Sequence, residues 1–210
     1  MIALSSLLAA VFKYKSAVAL KAFIPAAAWI KVRNVLVGAS VARCPDRIYL
    51  EQTLLPTLGA QAFKKVLFIG CECYTRHYGN HFTAAGSDYW TTDIRPEAAP
   101  FGAPGKHITC DVKEIDQHFA PDFQADLVIF NGVFGYGINT EADMNCSLLA
   151  IRRIMRPQGI LLLGWNRDLA GEPQRLSAMS VYQNIPDNWL LPQRVDIDNS
   201  THAYAFYEAV

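Results

Sequence analysis

The first 45 residues contain neither aspartate nor glutamate, and none of their uncharged runs is long enough to cross a membrane. These apolar runs stop at Lys13, Lys15, Lys21 and Lys31, short of the roughly 18 residues that a spanning helix needs. No cleaved signal is expected either, because the first basic residue follows the apolar stretch 2–12 instead of preceding it. Net charge is missing as well. Nineteen basic residues cancel nineteen acidic ones, so no positive field invites a polyanion and nucleic acid is not expected as a partner. Thirteen glycines and eleven prolines are too few for a collagenous or low-complexity chain. Cys44, Cys71, Cys73, Cys110 and Cys146 form an odd set without a small-scaffold disulfide framework, and read as reduced thiols of a cytoplasmic protein. No Gly-x-Ser-x-Gly elbow and no Walker A loop appear, so nothing marks a hydrolase or a nucleotide triphosphatase.

What is present is an apolar chain, 51% hydrophobic over 210 residues, enough for a single sizeable core. Its charge is unevenly placed. Residues 1–45 carry six cations, and residues 46–210 carry thirteen bases against nineteen acids. The expected organisation is an N-terminal helical extension over residues 1–60 and an α/β domain over residues 61–210.

Within the extension, Leu4, Leu7, Leu8, Val11 and Phe12 recur at helical spacing. Pro25 breaks the pattern and a second apolar segment, 26–37, ends at Gly38. Pro45 opens a short helix through about Leu55. From residue 63 the period changes. Residues 65–70 form an apolar run closed by glycine, as a strand buried on both faces should, and 89–94, 107–112, 126–131 and 160–165 follow in the same style. Helices are expected at 75–85 and at 141–155, the second stopped by Pro157 and Gly159. Strands alternating with helices mean βαβ units and a parallel sheet. The tail alternates with period two on either side of Asn199-Ser200, which predicts a C-terminal antiparallel hairpin.

In an open parallel sheet, ligands bind beyond the carboxyl ends of the strands. Those ends are Gly70-Cys71-Glu72-Cys73-Tyr74, Asp93-Ile94, Asp111-Val112, Asn131 with Gly132, Gly135 and Gly137 after it, and Trp165-Asn166. Asp93 lies 23 residues after Gly70, the spacing at which an acid can accept both hydroxyls of a ribose bound over the first strand. Cys71 and Cys73 with His77 and His81 make four potential metal ligands. However, C-x-C is tighter than zinc pairs use, so buried thiols and surface histidines are the preferred reading, with no metal expected.

Together these strand ends resemble the class I S-adenosylmethionine-dependent methyltransferases over about residues 63–210. The resemblance implies a Rossmann-like, mostly parallel seven-stranded sheet with an antiparallel C-terminal hairpin, and S-adenosylmethionine as cofactor. It implies that Gly70 and Cys71 belong to the first loop, that Asp93 holds the ribose, that Asp111 meets the adenine amino group, and that Ile94 and Val112 beside these acids belong to the cofactor-binding set. Asn131 falls where the family's fourth motif closes over the methyl donor. The first motif departs from the family pattern, with Phe68 in the place of an acid and Glu72 and Tyr74 in the places of glycines. Glu72 can supply the missing acid, toward the donor's ammonium or sulfonium. The same carboxylate would repel the pyrophosphate of a nicotinamide dinucleotide.

The implied reaction is methyl transfer to an O, N or C atom of a small-molecule acceptor, or one linked to a lipid or saccharide. Such an in-line displacement needs alignment more than a dedicated base. Asn131, Tyr136 and Asn166 are the polar groups placed to assist. Asn131 is not followed by the paired prolines of the amino-methylating adenine enzymes, which argues against a nucleobase acceptor. The other readings are a non-catalytic methyltransferase-like scaffold, and a peripheral membrane or protein contact through residues 1–40. For that segment, packing against the sheet is the preferred expectation.

Overall fold

The computed structural model describes residues 38, 40–186 and 189–210. The helices expected within residues 1–37 lie outside the described residues. No helix among the described residues is long and apolar enough to cross a membrane.

Pro45 opens α1 (Pro45–Tyr49), in a first turn whose N–H groups have no partner within the helix. One wide π turn, Leu50–Leu54, then leads into α2 (Leu55–Gly59). This helical stretch runs past Leu55, and it buries Leu50, Leu54, Leu55 and Leu58 completely against one face of the sheet. Each such leucine removed from water contributes about 1.5–3 kcal/mol.

The sheet follows as β1 (Lys65–Ile69), β2 (Asp88–Asp93), β3 (His107–Thr109), β4 (Ala125–Asn131) and β5 (Met155–Asn166), all mutually parallel. Short strands β6 (Tyr182–Asn184) and β7 (Arg194–Asp196) precede β8 (His202–Ala209). The order across the sheet is β3-β2-β1-β4-β5-β8, with β8 antiparallel to β5. Eight strands occur where seven were expected, because the outermost position is shared. β6 pairs with Tyr207–Ala209 of β8 and β7 with Ala203–Ala205, both antiparallel and on the edge of β8 that faces away from β5.

Alternating side chains build two cores. Leu67, Ile69, Val128, Phe130, Leu163 and Trp165 face one side, where α4 (Glu141–Arg153) packs. Val66, Phe68, Leu127, Ile129, Leu162 and Phe206 face the other, beneath α1 and α2. Thr140 caps α4 by accepting from the Asp143 N–H at 3.1 Å, and Arg152 and Arg153 close its last turn.

Two expected elements are shorter than their patterns suggested. Only α3 (Asn80–Thr83) is α-helical within 75–85. The preceding residues wind in three-residue turns, Tyr78 N–H to Thr75 and Asn80 N–H to His77, after Thr75 has clamped the backbone of Glu72 through its hydroxyl. The third strand stops at Thr109 because Asp111 caps a 3-10 helix, Val112–Gln117, by accepting from the Lys113 N–H at 3.0 Å. A short helical turn, α5 (Arg167–Ala170), follows β5.

Candidate functional site

Because β1 to β5 are parallel, their carboxyl ends share one edge, and the strand order reverses between β1 and β4. A cavity of about 660 Å³ opens at that point, within the range of small-molecule sites. It is lined by Gly70, Glu72, Asp93, Ile94, Asp111, Val112, Asn131, Tyr136 and Asn166. Of the residues that the resemblance assigns to the donor or its acceptor, Cys71 alone is not in the lining, and of the other strand-end residues Cys73, Gly135 and Trp165 also lie outside it. The Cys71 side chain is buried in the core beneath α1 and α2, and burial together with the charge of Asp93 pushes its thiol up to about 12. The contribution of Cys71 is its backbone. Gly70 turns with φ +94°, and a Cβ there would press on Val133 at 3.3 Å.

Asp93 is the hub of the β1/β2 end. Its Oδ2 accepts from the Cys71 N–H at 2.7 Å and from Arg95 Nη2 at 3.1 Å. Its Oδ1 accepts from the Arg95 N–H at 2.8 Å and from Arg95 Nε at 3.0 Å. A carboxylate offers about four acceptor positions, so all four of those on Asp93 are filled. Arg95 also donates to the Cys71 carbonyl at 2.7 Å and to Glu72 Oε1 at 2.6 Å. One guanidinium therefore ties together the reshaped first loop and the acid that the sequence marks for a ribose. These contacts, led by those to Asp93, raise the pKa of Arg95. The side chain of Arg95 is 36% exposed and that of Asp93 only 5%, so the arginine is the partner free to move.

At the β3 end, Asp111 holds the Lys113 backbone, and Lys113 Nζ lies 3.5 Å from its second oxygen and 3.0 Å from Asp143. Ile94 projects at 62% exposure while Val112 is buried. Both line the cavity, and they give its β2/β3 side apolar walls suited to a flat ring.

The β4/β5/β8 side carries a polar chain. His202 is 5% exposed, with Nε2 at 2.9 Å from the Asn131 amide oxygen and Nδ1 at 2.5 Å from that of Asn166. Asn166 Nδ2 reaches the Tyr136 hydroxyl at 3.2 Å, and Tyr136 is 67% exposed. Burial pulls the His202 pKa down to about 4, against a smaller upward push from Asp46 and a downward one from Arg47. The ring is therefore neutral at pH 7, with one N–H and one lone pair, so one of the two amides turns its NH2 toward it. Asn131 is locked by this bond and by the absence of a side chain at Gly164. A Cβ at 164 would overlap the Asn131 amide and meet Tyr204 Cε1 at 2.9 Å. Gly164→Ala should accordingly cost about 1–3 kcal/mol of stability, the range for overpacking a tight core. An unchanged urea midpoint would refute that contact.

Among the cavity residues that the sequence reading missed are Arg95, His202 and Arg47. An arginine two positions past a strand-end acid could have flagged Arg95. His202 sits in an alternating hairpin strand without a motif, and Arg47 lies in a helix upstream of the sheet.

No protein-family model matches the sequence, and comparison with curated proteins finds no significant match. Solved structures do match. The N-methyltransferase NodS from Bradyrhizobium japonicum aligns at a TM-score of 0.59 and 16% identity, over 80% of this chain and 98% of NodS. A TehB-like SAM-dependent methyltransferase from Corynebacterium glutamicum aligns at 0.56 and 16% identity, over 84% and 100% of the two chains. The 1,6-didemethyltoxoflavin-N1-methyltransferase from Burkholderia thailandensis, with S-adenosylhomocysteine bound, aligns at 0.54 and 15% identity, over 95% and 90%. This chain has the fold of the class I S-adenosylmethionine-dependent methyltransferases.

Proposed function

We propose that the protein is a methyltransferase that takes its methyl group from S-adenosylmethionine and passes it to a small-molecule acceptor. The observation that carries this reading is the cavity at the β1/β4 reversal. There Gly70, Glu72, Asp93, Ile94, Asp111, Val112 and Asn131 meet in one space on the methyltransferase fold. S-adenosylmethionine, when bound, would supply the methyl group from its sulfonium, with the neutral thioether of S-adenosylhomocysteine as the leaving group.

The residues present fit that ligand. Gly70 lets the backbone come close, Ile94 and Val112 flank an adenine, and the second oxygen of Asp111 can take its amino group. Asp93 faces the ribose diol once Arg95 swings outward, a motion its exposed side chain permits. Asn131 and the Asn166–Tyr136 pair line the side left for the acceptor, where they can orient a nucleophile and exclude water. No residue needs to act as a general base.

A second reading, a scaffold that does not catalyse, draws support from the complete saturation of Asp93 by Arg95 and Cys71. Calorimetric titration with S-adenosylmethionine and, in parallel, NAD separates the outcomes. Binding of the first and not the second is expected. Binding of neither would remove the donor reading and favour the scaffold.

A further inference from the structure

The cavity lining divides by charge. Its acids and its cations come from α1, from the ends of β1, β2 and β3 and from the residues just after those ends, whereas β4, β5, β8 and their loops contribute none. The polar groups of this second half are Asn131, Tyr136, Asn166, Ser200 and His202, and burial keeps the His202 ring neutral at pH 7. Ser200 Oγ accepts from the His202 backbone N–H at 3.1 Å. The other four side chains form one line of hydrogen bonds, from Asn131 through His202 and Asn166 to Tyr136. Tyr136 is carried on a tight loop in which the Gly135 N–H donates to the Ile138 carbonyl at 2.9 Å.

A neutral imidazole has one N–H and one lone pair, so the direction of every bond in the line follows from one choice. With the proton on Nδ1, Asn166 turns its oxygen to the ring and its NH2 to the Tyr136 oxygen, while Asn131 turns its NH2 to Nε2. The groups left free are then the Asn131 carbonyl and the Tyr136 O–H. With the proton on Nε2 every bond reverses, and Asn131 is left to donate and Tyr136 to accept. In both arrangements the two ends have opposite character.

The distances select the first. The ring lies 2.5 Å from Asn166 and 2.9 Å from Asn131, and an oxygen approaches a ring N–H more closely than an amide nitrogen approaches a ring lone pair. The chemistry selects it as well. Asn131 adjoins the Gly70 turn, its backbone oxygen 3.8 Å from the place of a Cβ at 70. A group that receives a methyl there must keep its lone pair toward the donor, so the side chain that orients it has to take its hydrogen. An ion would find no counter-charge on this side and would lose its hydration.

We propose that His202, a positioning residue, sets Asn131 and Tyr136 to receive a small neutral acceptor that donates one N–H or O–H to Asn131 and accepts one hydrogen bond from Tyr136. The inference rests on the methyltransferase reading above and names the class of acceptor, of which a cyclic amide is the simplest member.

The test is ligand-observed NMR titration of protein saturated with S-adenosylhomocysteine, using three probes of similar shape. They are 2-quinolone, a cyclic amide with both groups; coumarin, with a ring oxygen in place of the N–H; and the anion quinoline-2-carboxylate. The parent should bind 2-quinolone about tenfold more tightly than coumarin, because coumarin leaves Asn131 unpaired, and should bind the carboxylate more weakly still. His202→Leu should bring the ratio of 2-quinolone to coumarin affinity close to one, and His202→Gln, which can donate and accept, should restore most of it. Tyr136→Phe, at an exposed position and the variant that carries the test if His202→Leu does not fold, should weaken 2-quinolone and coumarin alike. Absent 2-quinolone binding, equal affinity for coumarin, preference for the carboxylate, a ratio unmoved in His202→Leu, or unchanged affinities in Tyr136→Phe overturns this assignment and leaves the donor reading standing. A parent protein that does not bind S-adenosylhomocysteine overturns both.

Discussion

Asp93→Ala is expected to give the largest loss of stability of any substitution at the site, about 2–3 kcal/mol. Removing one partner of a buried ion pair costs about 3–5 kcal/mol, and the half-exposed Arg95 can recover part of that in water. The Cys71 N–H has no such recourse, because it is sealed in the core with Asp93 Oδ2 as its acceptor. The same substitution should weaken S-adenosylhomocysteine by roughly 1.5–3 kcal/mol, the range for hydrogen bonds to a charged group. Urea unfolding and calorimetry read the two effects separately. If stability falls and affinity does not, Asp93 is a scaffold for the loop and the ribose is held elsewhere. Arg95→Met, which empties two of the four acceptor positions on Asp93 and leaves the Arg95 backbone N–H in place, provides the contrast. It should bind the ligand at least as tightly as the parent.

The second large effect is on pH. Unfolding free energy should fall by roughly 3 kcal/mol as the pH is lowered from about 6.5 to about 4, because of His202. In that window the unfolded chain takes up a proton on this side chain that the folded chain, with the ring between Asn131 and Asn166, refuses. The unfolded state therefore binds more protons and stability rises with pH until about 6.5, above which the contribution is flat. Carboxylates titrate in the same window, so the measurement is a difference. His202→Gln, which can still donate to one amide and accept from the other, should lose less stability than the parent between neutral pH and about pH 4.5. Parallel pH curves for the two proteins would show that His202 does not titrate on unfolding.

The parts of this molecule legible from sequence are those written in local pattern. Residues 65–70 and 126–131 read as strands buried on both faces because burial on two sides demands an unbroken apolar run, and β1 and β4 occupy those places. The tail read as a hairpin because period-two alternation flanked a turn, and β7 and β8 pair as drawn. Strand ends follow from strands, so Gly70, Asp93, Asp111, Asn131 and Asn166 could be placed at the cavity from their positions alone. The 75–85 helix failed for a local reason that composition hides, the Thr75 hydroxyl competing for the backbone of Glu72.

Only the tertiary structure decided how those residues are engaged. Asp93 could be placed at a strand end from its neighbours, but its saturation depends on where the flexible Arg95 side chain comes to rest, which no spacing encodes. His202 joins Asn131 across 71 positions and Asn166 across 36, and Tyr204 reaches the Asp46 backbone across 158. The division of the outer edge between β6 and β7 likewise needed β8 in place, because a three-residue strand has too little pattern of its own and takes its register from its partner. Periodicity along the chain reports which side of an element is buried; it carries no information about which distant polar group meets another, since that is set by how the layers stack.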